Sequence, residues 1–100
     1  IYTAKNIKAD EALRIGLVNA VYPLDELMAA AEKLAETIAK NAPIAVRACK
    51  KAINEGLEAK MDDAVVIEEK LFGSCFKTAD QIEGMTAFLE KRKHEPYQNK

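Results

Sequence analysis

Apolar residues recur every three or four positions along most of this chain. In the stretch 25–40 this period holds over about three helical turns, through Leu27, Met28, Ala31, Leu34, Ala35 and Ile38. Such spacing places the apolar side chains on one face of a helix, whose repeat is about 3.6 residues. Only four Gly and three Pro occur among the 100 residues, so little interrupts the pattern. The chain is therefore predicted to be all-α, with about five helices.

Single residues mark where these helices begin and end. Gly16 suits the left-handed position that follows a short helix from Ala9 to Ile15. The further helices are predicted from Asp25 to about Lys40, from Pro43 to about Glu55, from Met61 to Phe76 and from Thr78 to Lys93. The run 17–22, L-V-N-A-V-Y, is β-prone but too short to make a sheet alone.

The last predicted helix contains a residue that does not favour helix. Thr78 can cap its start, with Gln81 three residues on, where the partner in a capping box belongs. Gly84 lies in the middle and costs roughly 1 kcal/mol relative to Ala. Either the helix is weak there, or another backbone or a ligand comes close and leaves no room for a Cβ.

Composition excludes several classes of function. The net charge of −1 favours neither nucleic acid nor an anionic membrane as partner, and no apolar run approaches the roughly 20 residues that span a membrane. Cys49 and Cys75 fall on apolar helical positions and are predicted to be reduced, buried thiols of a cytosolic protein, with a disulfide as the alternative. The single histidine, His94, lies in a polar tail, so no metal site is predicted.

Catalytic motifs are missing from this sequence. It has no Gly-rich phosphate loop and no Ser/His/Asp set. Glu68 and Glu69 are helix neighbours that point about 100° apart, so they do not form an acid/base pair. Taken alone, the residues predict a soluble helical domain without chemistry of its own.

Three segments nevertheless resemble the C-terminal part of the crotonase (enoyl-CoA hydratase) family, and within it the short-chain hydratases. They read I-K-A-D-E-A-L-R-I-G-L-V-N-A-V, N-A-P-I-A-V-R-A-C-K-K-A-I-N-E-G and F-K-T-A-D-Q-I-E-G-M-T-A-F-L-E-K-R-K. The order and spacing are those of the family, and the resemblance covers essentially the whole chain. One departure lies near the start, where the family often has Thr-Gly and this chain has Thr3-Ala4.

The resemblance implies a reaction whose catalytic groups lie outside this chain. Family members hydrate a 2-enoyl-CoA or dehydrate a 3-hydroxyacyl-CoA, with two glutamates and a backbone oxyanion hole that lie before the point matching Ile1. No catalytic residue is therefore expected here, the segment alone is expected to be inactive, and no cofactor is expected besides the CoA of the substrate. Residues 1–8 would be the tail of a missing core, 9–93 the C-terminal helical (trimerisation) domain and 94–100 a flexible tail.

The resemblance also implies binding roles for three residues. Phe88 and Lys91 would meet the adenine and 3′-phosphate of CoA across a subunit boundary, and Phe72 would lie near the acyl-pantetheine channel. From the residues alone, core packing of Phe88 and Phe72 and a solvated charge at Lys91 remain the alternatives. A cytoplasmic homo-oligomer, a trimer or hexamer acting on acyl-CoA in fatty acid metabolism, is expected. An enoyl-CoA isomerase or another acyl-CoA enzyme, and a helical interaction module without CoA contact, are the alternative functions.

Overall fold

The computed structural model describes residues 2–100 and contains five helices and no strand within that range. The helices are α1 (Ala9–Arg14), α2 (Leu24–Ala39), α3 (Pro43–Leu57), α4 (Met61–Cys75) and α5 (Ala79–Leu89). The predicted all-α class is confirmed, and the β-prone run 17–22 forms bends and irregular chain. None of the helices in this range is both long and apolar enough to cross a membrane.

The chain divides into two compact units, one ending at Ala35 and the other covering Glu36–Lys100. In the first unit the predicted glycine stop of α1 is confirmed. Gly16 has a φ of +74°. Its N–H donates to the Leu13 carbonyl at 3.1 Å, and the next N–H, of Leu17, donates to the Ala12 carbonyl at 2.9 Å. This pair of bonds closes the helix by satisfying two of its last carbonyls.

Ala4 has a φ of +50°, in the left-handed region that costs a residue with a Cβ roughly 1–2 kcal/mol. The backbone conformation thus suits the glycine of the family pattern, although this chain carries alanine there. Ala4 therefore occupies a position at which the local backbone favours glycine.

In the second unit, α3 and α4 form the main helix–helix contact. α3 carries half-buried small side chains, Ala45, Ala48 and Ala52, which allow close approach of a neighbouring helix. Pro43 occupies the first turn of α3, where its missing N–H leaves no intrahelical bond unmade. The sequence prediction of a new helix starting at Pro43 is confirmed.

α5 begins as predicted but ends earlier. Thr78 caps it by accepting the Gln81 N–H on its side-chain oxygen at 3.1 Å. The Thr78 N–H donates to the Cys75 carbonyl at 3.0 Å, so it bonds back to the preceding helix. The predicted end at Lys93 is wrong, because the helix stops at Leu89 and the chain reverses there.

Large apolar side chains of the second unit remain uncovered. Among the described residues of the whole chain, the buried hydrophobic side chains are Ala12 and Ala87. On α4 and α5 the exposed ones include Val65, Val66, Phe72, Ile82, Met85, Phe88 and Leu89. Exposed apolar side chains in such number often mark an interface, so these helix faces are open to contact with other protein surface.

Candidate functional site

The turn after α5 brings Phe88 and Lys91 together. Phe88 is 77% exposed, so it does not pack into a core within this chain. Lys91 is also exposed and has a φ of +54°, the left-handed position that follows a helix end. Its N–H donates to the Phe88 carbonyl at 3.2 Å, and the Arg92 N–H donates to the Ala87 carbonyl at 3.0 Å. The same pair of bonds closes α1 around a glycine, whereas here a lysine occupies the left-handed position.

Arg92 is held between two carboxylates beside this turn. Its Nη1 and Nη2 atoms lie 2.6 Å and 3.0 Å from the two oxygens of Glu83. Its Nε donates to Glu90 at 2.7 Å, and Nη1 also reaches the Lys93 carbonyl at 3.2 Å. A guanidinium that bonds a carboxylate through two parallel N–H groups is fixed in orientation as well as in charge.

Glu83 has a second partner in the backbone that follows. Its Oε1 accepts the Glu95 N–H at 2.8 Å. The hydrogen bonds from Arg92, followed by that from Glu95, lower the pKa of Glu83 to about 2, and the same carboxylate raises the pKa of the Arg92 guanidinium. Glu83 is therefore ionised throughout the physiological pH range.

The C-terminal residues lie against the start of α5. Asp80 is 3% exposed, and its two carboxylate oxygens accept the N–H groups of Gln98 at 2.6 Å and Asn99 at 2.8 Å. Arg47 of α3 donates to the Asn99 side-chain oxygen at 2.6 Å. The segment 94–100, which the sequence predicts to be a flexible tail, thus has specific partners on two helices.

The Tyr97 side chain lies close to Gly84 of α5. A Cβ on Gly84 would lie 3.2 Å from the Tyr97 hydroxyl oxygen and 3.8 Å from its nearest ring carbon. A close approach to Gly84 is observed, but the approaching group is a side chain of this chain and not the backbone or ligand that the sequence prediction named. The Tyr97 ring also stacks on His94, with 4.2 Å between ring centroids.

Phe72 lies apart from the turn after α5, in a cleft of about 790 Å³ among α3, α4 and α5. It is 65% exposed and meets Phe76 edge to face, with 5.2 Å between ring centroids. Phe88 and Lys91 do not line this cleft. The three residues singled out by the resemblance therefore occupy two places, one with Phe88 and Lys91 and one with Phe72.

Both cysteines line the same cleft as free thiols. Cys75 is half-buried, but Cys49 is exposed, so its predicted burial is wrong for this chain. Within residues 2–100, no group of three or more His, Cys, Asp and Glu side chains is arranged to hold a metal ion.

Sequence reasoning missed the four side chains that shape the turn and the tail, Asp80, Glu83, Arg92 and Tyr97. Gly84 was a signal that something approaches the helix, but it could not identify the partner. The order of charges, with acids early in α5 and bases after it, also suits the helix dipole and so does not indicate which acid pairs with which base.

Several known proteins with similar sequences are enoyl-CoA hydratases. The family model described as enoyl-CoA hydratase/isomerase matches residues 1–99. The chain is 54% identical over 100 residues to the short-chain-enoyl-CoA hydratase of Clostridium acetobutylicum. It is also 54% identical over 93 residues to the crotonyl-CoA hydratase of Syntrophomonas wolfei. The alignments cover 100% and 93% of this chain but only 38% and 36% of those relatives.

A solved structure extends the likeness to the fold. The crystal structure of an enoyl-CoA hydratase from Bacillus anthracis superposes with a TM-score of 0.93 at 39% identity. That match covers 100% of this chain and 38% of the other.

Proposed function

Because the chain belongs to the enoyl-CoA hydratase/isomerase family, we propose that it is the C-terminal helical segment of a cytoplasmic enoyl-CoA hydratase. The whole enzyme would catalyse the reversible addition of water to a 2-enoyl-CoA, with its catalytic glutamates and oxyanion hole in the part that precedes this segment. The hydratase is favoured over an isomerase because the two relatives with 54% identity are named as hydratases. No cofactor is expected beyond the CoA of the substrate.

The observation that carries this proposal is the exposed pair Phe88 and Lys91 at the end of α5. An exposed aromatic face can stack on adenine, and a lysine ammonium can serve as a point charge for a phosphate. Arg92, the next residue, forms ion pairs with Glu83 and Glu90. Lys91 forms no ion pair with any residue that the structure describes. We therefore assign the contact with the CoA 3′-phosphate to Lys91 and the contact with adenine to Phe88.

The second part of the proposal is oligomer formation. The uncovered apolar faces of α4 and α5 resemble a core that lacks its other half, which is typical of obligate interfaces. A neighbouring subunit that covers them would place Phe88 and Lys91 at a subunit boundary. Phe72, in the separate cleft, is proposed to border the acyl-pantetheine channel.

Binding by Phe88 and Lys91 should change the affinity for substrate and should not change the rate of the chemical step. The adenine end of CoA is far from the reacting carbons, so a contact there is felt equally in the ground state and in the transition state. Uniform binding of this kind lowers KM without raising kcat.

The test is Lys91→Ala in the full-length enzyme. KM for crotonyl-CoA should rise about 5- to 30-fold with kcat nearly unchanged, which corresponds to about 1–2 kcal/mol. The increase should shrink as salt rises. It should also disappear with crotonyl-3′-dephospho-CoA, because that substrate lacks the phosphate. Alanine is the suitable replacement, because it keeps a Cβ at the left-handed position and removes only the charge.

Lys70→Ala, at an exposed lysine of α4, is the matched control and should leave KM unchanged. An unchanged KM for Lys91→Ala would contradict the CoA contact and would favour a helical interaction module. Turnover of a 3-enoyl-CoA in place of water addition would identify an isomerase.

A further inference from the structure

The ion pair between Glu83 and Arg92 is incompatible with a helix that continues past Leu89. In an α-helix, residues nine apart point about 180° apart and lie roughly 13.5 Å apart along the axis. The observed separations of 2.6 Å and 3.0 Å between their charged atoms therefore require the helix to end before Arg92. The ion pair between Glu83 and Arg92 is therefore compatible with the reversed chain and not with a helix that continues to Lys93.

Glu83 holds the reversed segment at two points. It bonds the Arg92 side chain, and it also accepts the backbone N–H of Glu95 at 2.8 Å. Glu90, the other carboxylate on Arg92, makes a single bond to Nε and its side chain is more exposed, 57% against 26% for Glu83. Glu83 is therefore the better placed of the two to fix the geometry of residues 90–95.

Lys91 lies inside the segment that Glu83 closes. A left-handed φ of +54° at a residue with a Cβ is costly, and such a conformation persists only where the surroundings fix it. The bonds of the Lys91 and Arg92 N–H groups to the last turn of α5 supply part of that restraint. The Glu83 carboxylate restrains the residues that follow Lys91, through the side chain of Arg92 and the N–H of Glu95.

We propose that Glu83 is a positioning residue, which holds the turn after α5 in its left-handed form and so presents the Lys91 ammonium beside Phe88. This rests on the proposed function, in which Lys91 meets the CoA phosphate. Glu83 also matches the charge of Arg92, so the phosphate contact falls to Lys91. Glu83 itself does not touch substrate.

The test is Glu83→Gln in the full-length enzyme, since glutamine keeps the shape and removes the charge. KM for crotonyl-CoA should rise roughly 3- to 10-fold with kcat unchanged. Glu55→Gln is the matched control, because Glu55 lies in an exposed ion pair with Lys51 away from this turn. That control should leave KM unchanged.

The double variant separates positioning from a general structural effect. If Glu83 acts through Lys91, the variant with both Glu83→Gln and Lys91→Ala should have the KM of Lys91→Ala alone. With crotonyl-3′-dephospho-CoA, Glu83→Gln should lose its effect on KM. A merely structural role would raise KM equally for both substrates and would add to the effect of Lys91→Ala.

The outcomes distinguish this inference from the proposed function. If Lys91→Ala raises KM while Glu83→Gln does not, or while the two effects add in full, the positioning role is overturned and the CoA contact stands. If Lys91→Ala leaves KM unchanged, both are overturned. Should Glu83→Gln fail to fold, Arg92→Lys breaks the same two-pronged bond from the other side, and its effect on KM is judged by the same criteria.

Discussion

Gly84 lies where two requirements on one residue conflict. Helix propensity favours alanine there by about 1 kcal/mol. The Tyr97 hydroxyl favours glycine, because a Cβ would lie 3.2 Å from its oxygen, closer than ordinary van der Waals contact. The tail and the helix therefore determine jointly which residue is tolerated.

This conflict predicts that substitutions at Gly84 and Tyr97 have coupled effects on the free energy of unfolding of the full-length protein. In the background of Tyr97→Phe, which removes the hydroxyl, Gly84→Ala should raise the free energy of unfolding by about 1 kcal/mol. With Tyr97 present the gain should be smaller or reversed. Denaturant unfolding of the unchanged protein, the two single variants and the double variant measures the coupling. Equal effects in both backgrounds would show that Tyr97 is not the reason for the glycine.

α5 is the element on which the C-terminal residues depend. Asp80 in its first turn accepts two backbone N–H groups of the tail, and Glu83 one turn later accepts a third. Each bond satisfies a tail N–H that has no partner in regular secondary structure. The tail therefore has a defined path along the helix, and a buried carboxylate is central to it.

Asp80→Asn is expected to loosen the contact between the C-terminal tail and α5. An amide offers one acceptor oxygen where the carboxylate offers two, and its NH₂ group would face a tail N–H. We expect a loss of about 1–3 kcal/mol in the stability of the tail contact. Hydrogen exchange should become faster at the amides of Gln98 and Asn99. Asp62→Asn, an equivalent first-turn change on α4, is the control, and unchanged exchange in Asp80→Asn would refute the role of the carboxylate.

For the molecule as a whole, the decisive feature is how much apolar surface the described residues leave exposed. Ile82 and Leu89 on α5 are 61% and 74% exposed, as part of a stripe that a neighbour could cover. Burial of apolar area is the main stabilising term in folding and association. The helices therefore gain stability when other protein surface packs on them.

The 100-residue chain alone should consequently self-associate at micromolar concentration. Its uncovered faces have no other surface to pack against, and exposed apolar patches of this kind usually mark interfaces. Sedimentation velocity across a concentration series measures the association. Leu89→Asp with Ile82→Asp should weaken it, because the new charges would have to be buried. A strict monomer for the unchanged chain would contradict the prediction.

The sequence alone determined the helices, the glycine stop after α1, the Thr78 cap and the family. The helices, the glycine stop and the cap depend on short-range rules, such as the 3.6-residue period and hydrogen bonds between residues three to five positions apart, whereas the family followed from the resemblance of whole segments. The residues of the candidate contact, Phe88 and Lys91, followed from the family resemblance and remain a proposal. The exposure of both side chains became visible only in the structure.

The tertiary structure alone decided where α5 ends and where the tail lies. Glu83 and Arg92 are nine residues apart, and Asp80 and Gln98 are 18 apart. Such pairs meet only after the chain has reversed, and local propensity does not encode that reversal when a lysine occupies the left-handed position. The bonds that Arg92 and Glu95 donate to Glu83 stabilise a turn that the residue at its centre disfavours.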